Sequence, residues 1–107
     1  MSGLDPRLRP YAEYLLAAIR TVDAGAVVTS TRRTRAEQQA LYDRWKAGLS
    51  RYPVAKPGTS DHELGLAFDI DSEPEVLAAA GQLWESWGGR WGGHYNDPIH
   101  FGVRKAE

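Results

Sequence analysis

The chain contains no cysteine. That removes disulfides, thiolate nucleophiles and every cysteine-bearing zinc site. It also lacks an excess of either charge: 13 Lys and Arg stand against 14 Asp and Glu, a net charge of -1 with neutral histidines. Nucleic-acid binding rests on a basic field, so that class of partner is set aside. Arginines do cluster at Arg32, Arg33 and Arg35, but acidic residues are interspersed and the cluster reads as solvated surface with room for one specific role. No apolar run is long enough to cross a bilayer, so no membrane insertion is expected. The opening Met1-Ser2-Gly3-Leu4-Asp5-Pro6 is polar and turn-like, without the basic-then-apolar order of a signal peptide. There is no internal repeat and no low-complexity tract.

What is present is ordinary globular composition over 107 residues, with 42% hydrophobic and 25% charged residues. A single domain over residues 1–107 is expected, burying roughly 60–70% of its unfolded surface. After a short lead-in, helical spacing runs from Pro10 to Arg20, with Tyr11, Leu15, Ala18 and Ile19 on one face. Ala26–Ser30 reads as a short strand. Thr34 and Glu37 form a capping-box pair ahead of a helix over Arg35–Lys46. Residues 48–60 are rich in Gly, Pro and Ser or Thr and read as a loop beside a site.

Leu64, Leu66, Phe68 and Ile70 alternate with Gly65, Ala67, Asp69 and Asp71. A period of two predicts a strand with the large apolar residues in the core and Asp69 on the opposite face. A third helix follows over Glu75–Trp87, presenting Val76, Leu77, Ala80, Leu83, Trp84 and Trp87. Arg90-Trp91 begins a short strand. Ile99–Val103 is the last one, with His100 and Gly102 facing away from Ile99, Phe101 and Val103. The closely spaced C-terminal strands leave no room for a crossover helix and should pair antiparallel. The fold class is α+β, a small antiparallel sheet with packed helices.

Three separated residues suit one metal ion. His62 in the turn, Asp69 on the strand and His100 on the last strand offer two nitrogens and an oxygen. Zinc takes such a set tetrahedrally, with one position kept for water in catalytic sites. Each residue also has a plainer account: His62 as a turn hydrogen-bonder, His100 as a packed histidine, and Asp69 as a buried carboxylate that needs some partner. His94, the third histidine, lies in a glycine-rich loop and is a candidate for substrate contact. A metal-free arrangement with Ser60 as nucleophile and His100 with Asp97 as relay is the weaker alternative, since no nucleophile elbow surrounds Ser60.

The combination Ser60-x-His62-x-x-Gly65-x-Ala67-x-Asp69, followed by Asp97-x-x-His100-Phe101, resembles the M15 zinc peptidases of the VanY and D-alanyl-D-alanine carboxypeptidase type. It is nearest the phage-endolysin branch, the L-alanyl–D-glutamate endopeptidases. Ser30–Thr34 with Glu37-Gln38, and Trp91-Gly92-Gly93, resemble further family segments, so the likeness spans residues 28–103 in order. Arg32 stands where an aromatic residue is frequent, and His94-Tyr95 replace an acidic residue and a tryptophan.

The resemblance implies a Hedgehog/DD-peptidase-like fold and a Zn2+ ion on His62, Asp69 and His100. It implies Asp97 as general base, Arg33 as the positive group near the substrate, and Ser60 as support for the metal-binding turn. Arg32 competes with Arg33, and Tyr95 is a candidate for the groove wall. The expected activity is cleavage of the L-alanyl–D-glutamate bond of bacterial peptidoglycan stem peptides. A D,D-carboxypeptidase is the close alternative, and a noncatalytic cell-wall-binding or virion module the distant one. The expected setting is a monomer or a domain of a larger virion or lytic protein. It would be phage-encoded, made in the host cytoplasm and brought to the cell wall by release through a holin or within a virion.

Overall fold

The computed structural model describes residues 1–50 and 53–103. The expected loop over residues 48–60 therefore includes two positions, 51 and 52, outside the described residues. Three helices, α1 (Arg9–Arg20), α2 (Arg35–Lys46) and α3 (Pro74–Ser86), accompany a four-stranded sheet. The strands are β1 (Val27–Ser30), β2 (Ala67–Asp71), β3 (Gly89–Trp91) and β4 (His100–Val103), in spatial order β1-β2-β4-β3. Every neighbouring pair is antiparallel. This is the α+β class expected from the sequence.

One face of the sheet makes the core. Phe68 pairs with Phe101 across β2 and β4, and their rings stack at 5.6 Å. Trp84 of α3 meets both rings edge-on and donates its indole N–H to the Gly102 carbonyl at 2.7 Å. Leu77, Ala80, Gly81 and Trp84 are the buried stripe of α3, the i, i+3, i+4, i+7 set of an amphipathic helix. Ala12, Leu15 and Ile19 do the same for α1. Phe68, Phe101, Leu15 and Ile70 are fully buried, each contributing about 1.5–3 kcal/mol by its removal from water. That anchoring fixes β2 and β4 in register, so whatever their opposite faces carry is also fixed.

The structure departs from expectation where apolar alternation continued past a real boundary. Leu64 was expected in the core but is 67% exposed, because Asp61–Leu64 is a 3-10 turn and β2 begins only at Ala67. Gly65 ends the turn in the left-handed region, φ 71°, and its α-carbon faces the Gly3 carbonyl too closely for any side chain. On α1 Leu15 and Ile19 are buried as expected, but Ala12 rather than Tyr11 completes the face and Tyr11 is exposed. Trp87 falls beyond α3 and stays 42% exposed. The lead-in is more than a tail: Leu4 and Leu8 are buried, and the Asp5 amide donates to the Gly65 carbonyl at 2.9 Å. Two leucines among prolines and charges make no readable period, so only packing reveals them.

The start of α2 follows its sequence signal closely. The Thr34 hydroxyl accepts from the Glu37 amide at 3.1 Å, and the Glu37 carboxylate accepts from the Thr34 amide at 3.0 Å. The helix buries only Gln38, so polar bonds rather than an apolar stripe hold it to the body.

Candidate metal centre

The sheet face opposite the core carries the site. Asp69 on β2 pairs directly with His100 on β4, which puts both side chains on that face. His62 arrives from the 3-10 turn, whose first amides need capping. The Ser60 hydroxyl caps it by accepting from the His62 amide at 3.2 Å. The strand exit from β1 then clamps the ring: His62 Nδ1 lies 2.8 Å from the Thr31 carbonyl, and the Arg33 amide donates to the His62 carbonyl at 3.0 Å. Ser60 is thus a turn support, and Thr31 an orienting partner that the sequence did not reveal.

A carbonyl only accepts, so Nδ1 of His62 carries the ring proton and Nε2 presents a lone pair. That Nε2 lies 3.3 Å from His100 Nδ1 and 3.2 Å from Asp69 Oδ1, and His100 Nδ1 lies 3.4 Å from the same oxygen. Oδ1 is buried without a hydrogen-bond partner. Three electron-pair donors thus converge on one point, where one shared proton would satisfy only a single pair. A cation satisfies all three. Ligand bonds of about 2.0–2.1 Å place tetrahedral donors about 3.3 Å apart, the spacing found here. His62, Asp69 and His100 form the one potential metal-holding group of histidines and carboxylates among the described residues, and the two-nitrogen, one-oxygen set suits zinc.

The second oxygen of Asp69 is held separately. Arg33 donates to Oδ2 at 2.8 Å and to the Gln38 side-chain oxygen at 3.2 Å, and Gln38 in turn donates to the Ala55 carbonyl at 2.8 Å. This chain turns Asp69 so that Oδ1 alone faces the histidines. Burial works to raise the Asp69 carboxyl, but the His100 and His62 rings, 3.4 and 3.2 Å from Oδ1, outweigh it when they carry positive charge and hold the group well below the usual carboxylate range. Gln38 is fully buried yet polar, a role hidden in the sequence because a glutamine one helical turn after a cap looks like surface.

Asp97 lines the same cleft, which has a volume of about 460 Å³ and includes Arg33, Ser60, Arg90 and Tyr95 in its walls. Burial pushes the Asp97 carboxyl up, repulsion from Asp69 adds to that, and attraction by His100, His62 and Arg33 offsets part of it. A tight turn delivers Asp97: its amide donates to the Gly92 carbonyl at 2.9 Å, and its carbonyl accepts from the His100 amide at 3.1 Å. A Cβ at Gly92 would fall on the Asp97 carbonyl oxygen and within 2.8 Å of His100 Cβ. Gly92→Ala is therefore expected to cost about 1–3 kcal/mol of stability and to weaken zinc binding, because the turn must open under both Asp97 and His100. Paired denaturation and zinc titrations check this.

Not every candidate reaches the cleft. His94 is exposed and pairs with Glu85 of α3 at 3.1 Å, so packing of the turn onto α3 carries it away from His62 and His100. Arg32 is also exposed and lies outside the cleft, in a neighbouring groove that it shares with Arg44, Arg33 and Asp69. Asp71 is exposed at the end of β2.

Comparisons with known proteins identify the family. The family model for VanY, D-alanyl-D-alanine carboxypeptidase, matches residues 2–91, which include Arg33, His62 and Asp69 and stop short of Asp97 and His100. A D-alanyl-D-alanine carboxypeptidase of Enterococcus faecalis (strain ATCC 700802 / V583) is 34% identical over 84 residues, covering 65% of this chain and 31% of that protein. The chain thus spans about a third of that relative's length. Among solved structures, a vancomycin-resistance D,D-pentapeptidase VanY from a VanB-type cassette, in complex with Zn(II), superposes with a TM-score of 0.72 at 27% identity, covering 94% of this chain and 72% of that one. VanYB in complex with D-alanine-D-alanine gives the same TM-score and identity, covering 94% and 71%. With a match across most of its length, the chain belongs to the VanY family of the D-alanyl-D-alanine carboxypeptidase type.

Proposed function

We propose that this protein is a zinc-dependent D,D-carboxypeptidase that removes the terminal D-alanine from peptidoglycan stem peptides ending in D-alanyl-D-alanine. The observation that carries the reading is the convergence of His62 Nε2, His100 Nδ1 and Asp69 Oδ1 at tetrahedral spacing in a cleft that also holds Asp97. The relatives described above support the carboxypeptidase over the L-alanyl–D-glutamate endopeptidase expected from the endolysin-like motifs. Those motifs position the ligands and the base, which either hydrolysis requires, and so they do not select the bond.

A zinc ion held by His62, Asp69 and His100 would supply a Lewis acid able to acidify water and polarise a carbonyl. Asp97 then acts as general base, taking a proton from the attacking water and passing it to the amine of the departing D-alanine. Its partial burial suits this, since a carboxylate raised above its ordinary range is the stronger base. Arg33 orients Asp69 from the cleft wall. Ser60 and Thr31 hold His62.

Incubation with an N-acylated peptide ending in D-alanyl-D-alanine, with and without chelator, followed by mass analysis, tests the reading. Release of free D-alanine that chelation abolishes is the expected result. A new D-glutamyl N-terminus from whole peptidoglycan would establish the endopeptidase instead, and zinc binding without any hydrolysis would establish a noncatalytic wall-binding module. The electrostatics give a second test. In the zinc-free protein the Asp97 carboxyl is expected to titrate above the ordinary value of about 3.9, and zinc addition is expected to lower it, because a nearby cation favours the ionised form. Carboxyl-carbon NMR titration reads both directions. Activity should fall as pH drops through the zinc-bound value, where Asp97 gains a proton and ceases to be a base.

A further inference from the structure

Of the two arginines that line the cleft among the described residues, one is already neutralised. Arg33 spends its charge on Asp69 at 2.8 Å. Arg90 also lines the cleft, yet among the described residues it makes no ion pair. Its guanidinium carbon instead sits 4.5 Å from the centroid of the Tyr95 ring, which is itself 56% exposed. Stacking on an aromatic face holds a guanidinium in place while leaving its N–H edge free for a planar anion.

The sheet register puts this edge beside the metal ligands. Arg90 pairs with Gly102, and Gly102 lies two residues beyond His100, so Arg90, Gly102 and His100 share one face with Asp69. Alternate strand residues lie about 6.8 Å apart and neighbouring strands about 4.8 Å, so the Arg90 backbone is about 8 Å from that of His100. The residue between them is a glycine whose missing side chain leaves the cleft floor open; a Cβ there would stand 3.3 Å from His100 Nε2. One peptide residue, at most about 3.6 Å long, separates a scissile carbonyl at the metal from the next group along the chain. An arginine side chain spans what remains.

We propose that Arg90, braced by Tyr95, binds the terminal carboxylate of the substrate and thereby selects peptides that end one residue beyond the scissile bond. This rests on the carboxypeptidase reading and gives it a physical cause. A peptide that continues past that residue has an amide where the carboxylate would be and leaves the Arg90 charge without its partner.

The test compares wild type, Arg90→Gln and Arg90→Lys on an N-acylated D-alanyl-D-alanine peptide and on the same peptide with a C-terminal amide. Zinc content and thermal midpoint are monitored throughout. In wild type the free acid is expected to be favoured over the amide. Arg90→Gln should raise KM for the acid by about 10–100-fold, the worth of a charge-assisted bond, and leave the amide nearly unchanged. Arg90→Lys should restore part of the preference. Equal losses on acid and amide, or an unaltered preference, would overturn the proposal. Calorimetric binding of the dipeptide D-alanyl-D-alanine to the zinc-loaded proteins separates the two readings. If wild type binds it and Arg90→Gln binds at least tenfold more weakly, but no peptide is cleaved, the carboxypeptidase reading fails and the Arg90 site stands. If cleavage proceeds with unchanged acid preference in Arg90→Gln, the Arg90 site fails alone. If wild type does not bind the dipeptide, the Arg90 site fails as well.

Discussion

Asp97→Asn is expected to lower kcat by about 10²–10⁴-fold while zinc stoichiometry stays at that of wild type. The amide keeps the shape of the carboxylate but cannot take a proton from water. Since the backbone amide and carbonyl of Asp97, rather than its side chain, hold the Gly92–His100 turn, the substitution leaves the ligand geometry in place. The effect on stability should run the other way. Burial and the neighbouring Asp69 raise the Asp97 carboxyl, so its ionised form is disfavoured in the folded zinc-free protein. Such a group contributes stability only at acid pH, and that contribution is lost as pH rises through the folded value. At neutral pH a neutral side chain removes the cost, and the zinc-free variant should melt above the zinc-free wild type. A variant that is slower yet more stable is hard to explain by misfolding. Normal turnover in Asp97→Asn would eliminate it as the base.

The second large effect is on the metal. His62→Ala and His100→Ala are each expected to weaken zinc binding by on the order of 10²–10³-fold, taking each ligand as roughly a quarter of an apparent 10–16 kcal/mol site. Hydrolysis should fall to background with it. The stability linkage gives an independent measure. Zinc at about a thousand times its Kd stabilises the folded state by about 4 kcal/mol, so the wild-type thermal midpoint should climb by well over 10 °C on zinc addition. Either alanine variant should lose most of that rise. Full zinc stoichiometry and an undiminished rise in the variants would sink the ligand assignment. Without zinc, His100→Ala should not melt much lower than wild type, because that ring is partly exposed and Asp69 retains Arg33, whereas His62→Ala should melt lower, because it empties a buried site and leaves the Thr31 carbonyl without its donor.

These expectations draw on two different levels of information. The residue types of the site are legible in the chain itself. Asp69 interrupts an apolar alternation, His100 sits on the polar side of another, and His62 lies in a turn between a serine cap and a glycine stop. The Thr34–Glu37 capping box is equally plain, because capping is local chemistry between residues three apart.

What periodicity cannot carry is where a period stops. Leu64 continued the alternation of β2 and proved exposed, since the Ser60 cap and the Gly65 conformation make a turn of that stretch. Leu4 and Leu8 carried no period and proved to be core. His94 and Arg32 looked as available as any other polar residue near the motifs, yet His94 packs against Glu85 and neither lines the cleft.

By itself, then, the sequence determined the α+β class, the three convergent ligand types and the carboxylate that accompanies them, because each depends on residue chemistry and short-range period. The tertiary structure alone decided how charges are spent. Arg33 is bound to Asp69 across 36 positions of chain, Gln38 is buried behind it, and Arg90 is left to face the cleft. Whether a charge is compensated depends on partners distant in sequence and brought close only by strand register. That is why the Arg33–Asp69 pair, and the absence of an ion pair at Arg90 among the described residues, could be read only from the folded chain.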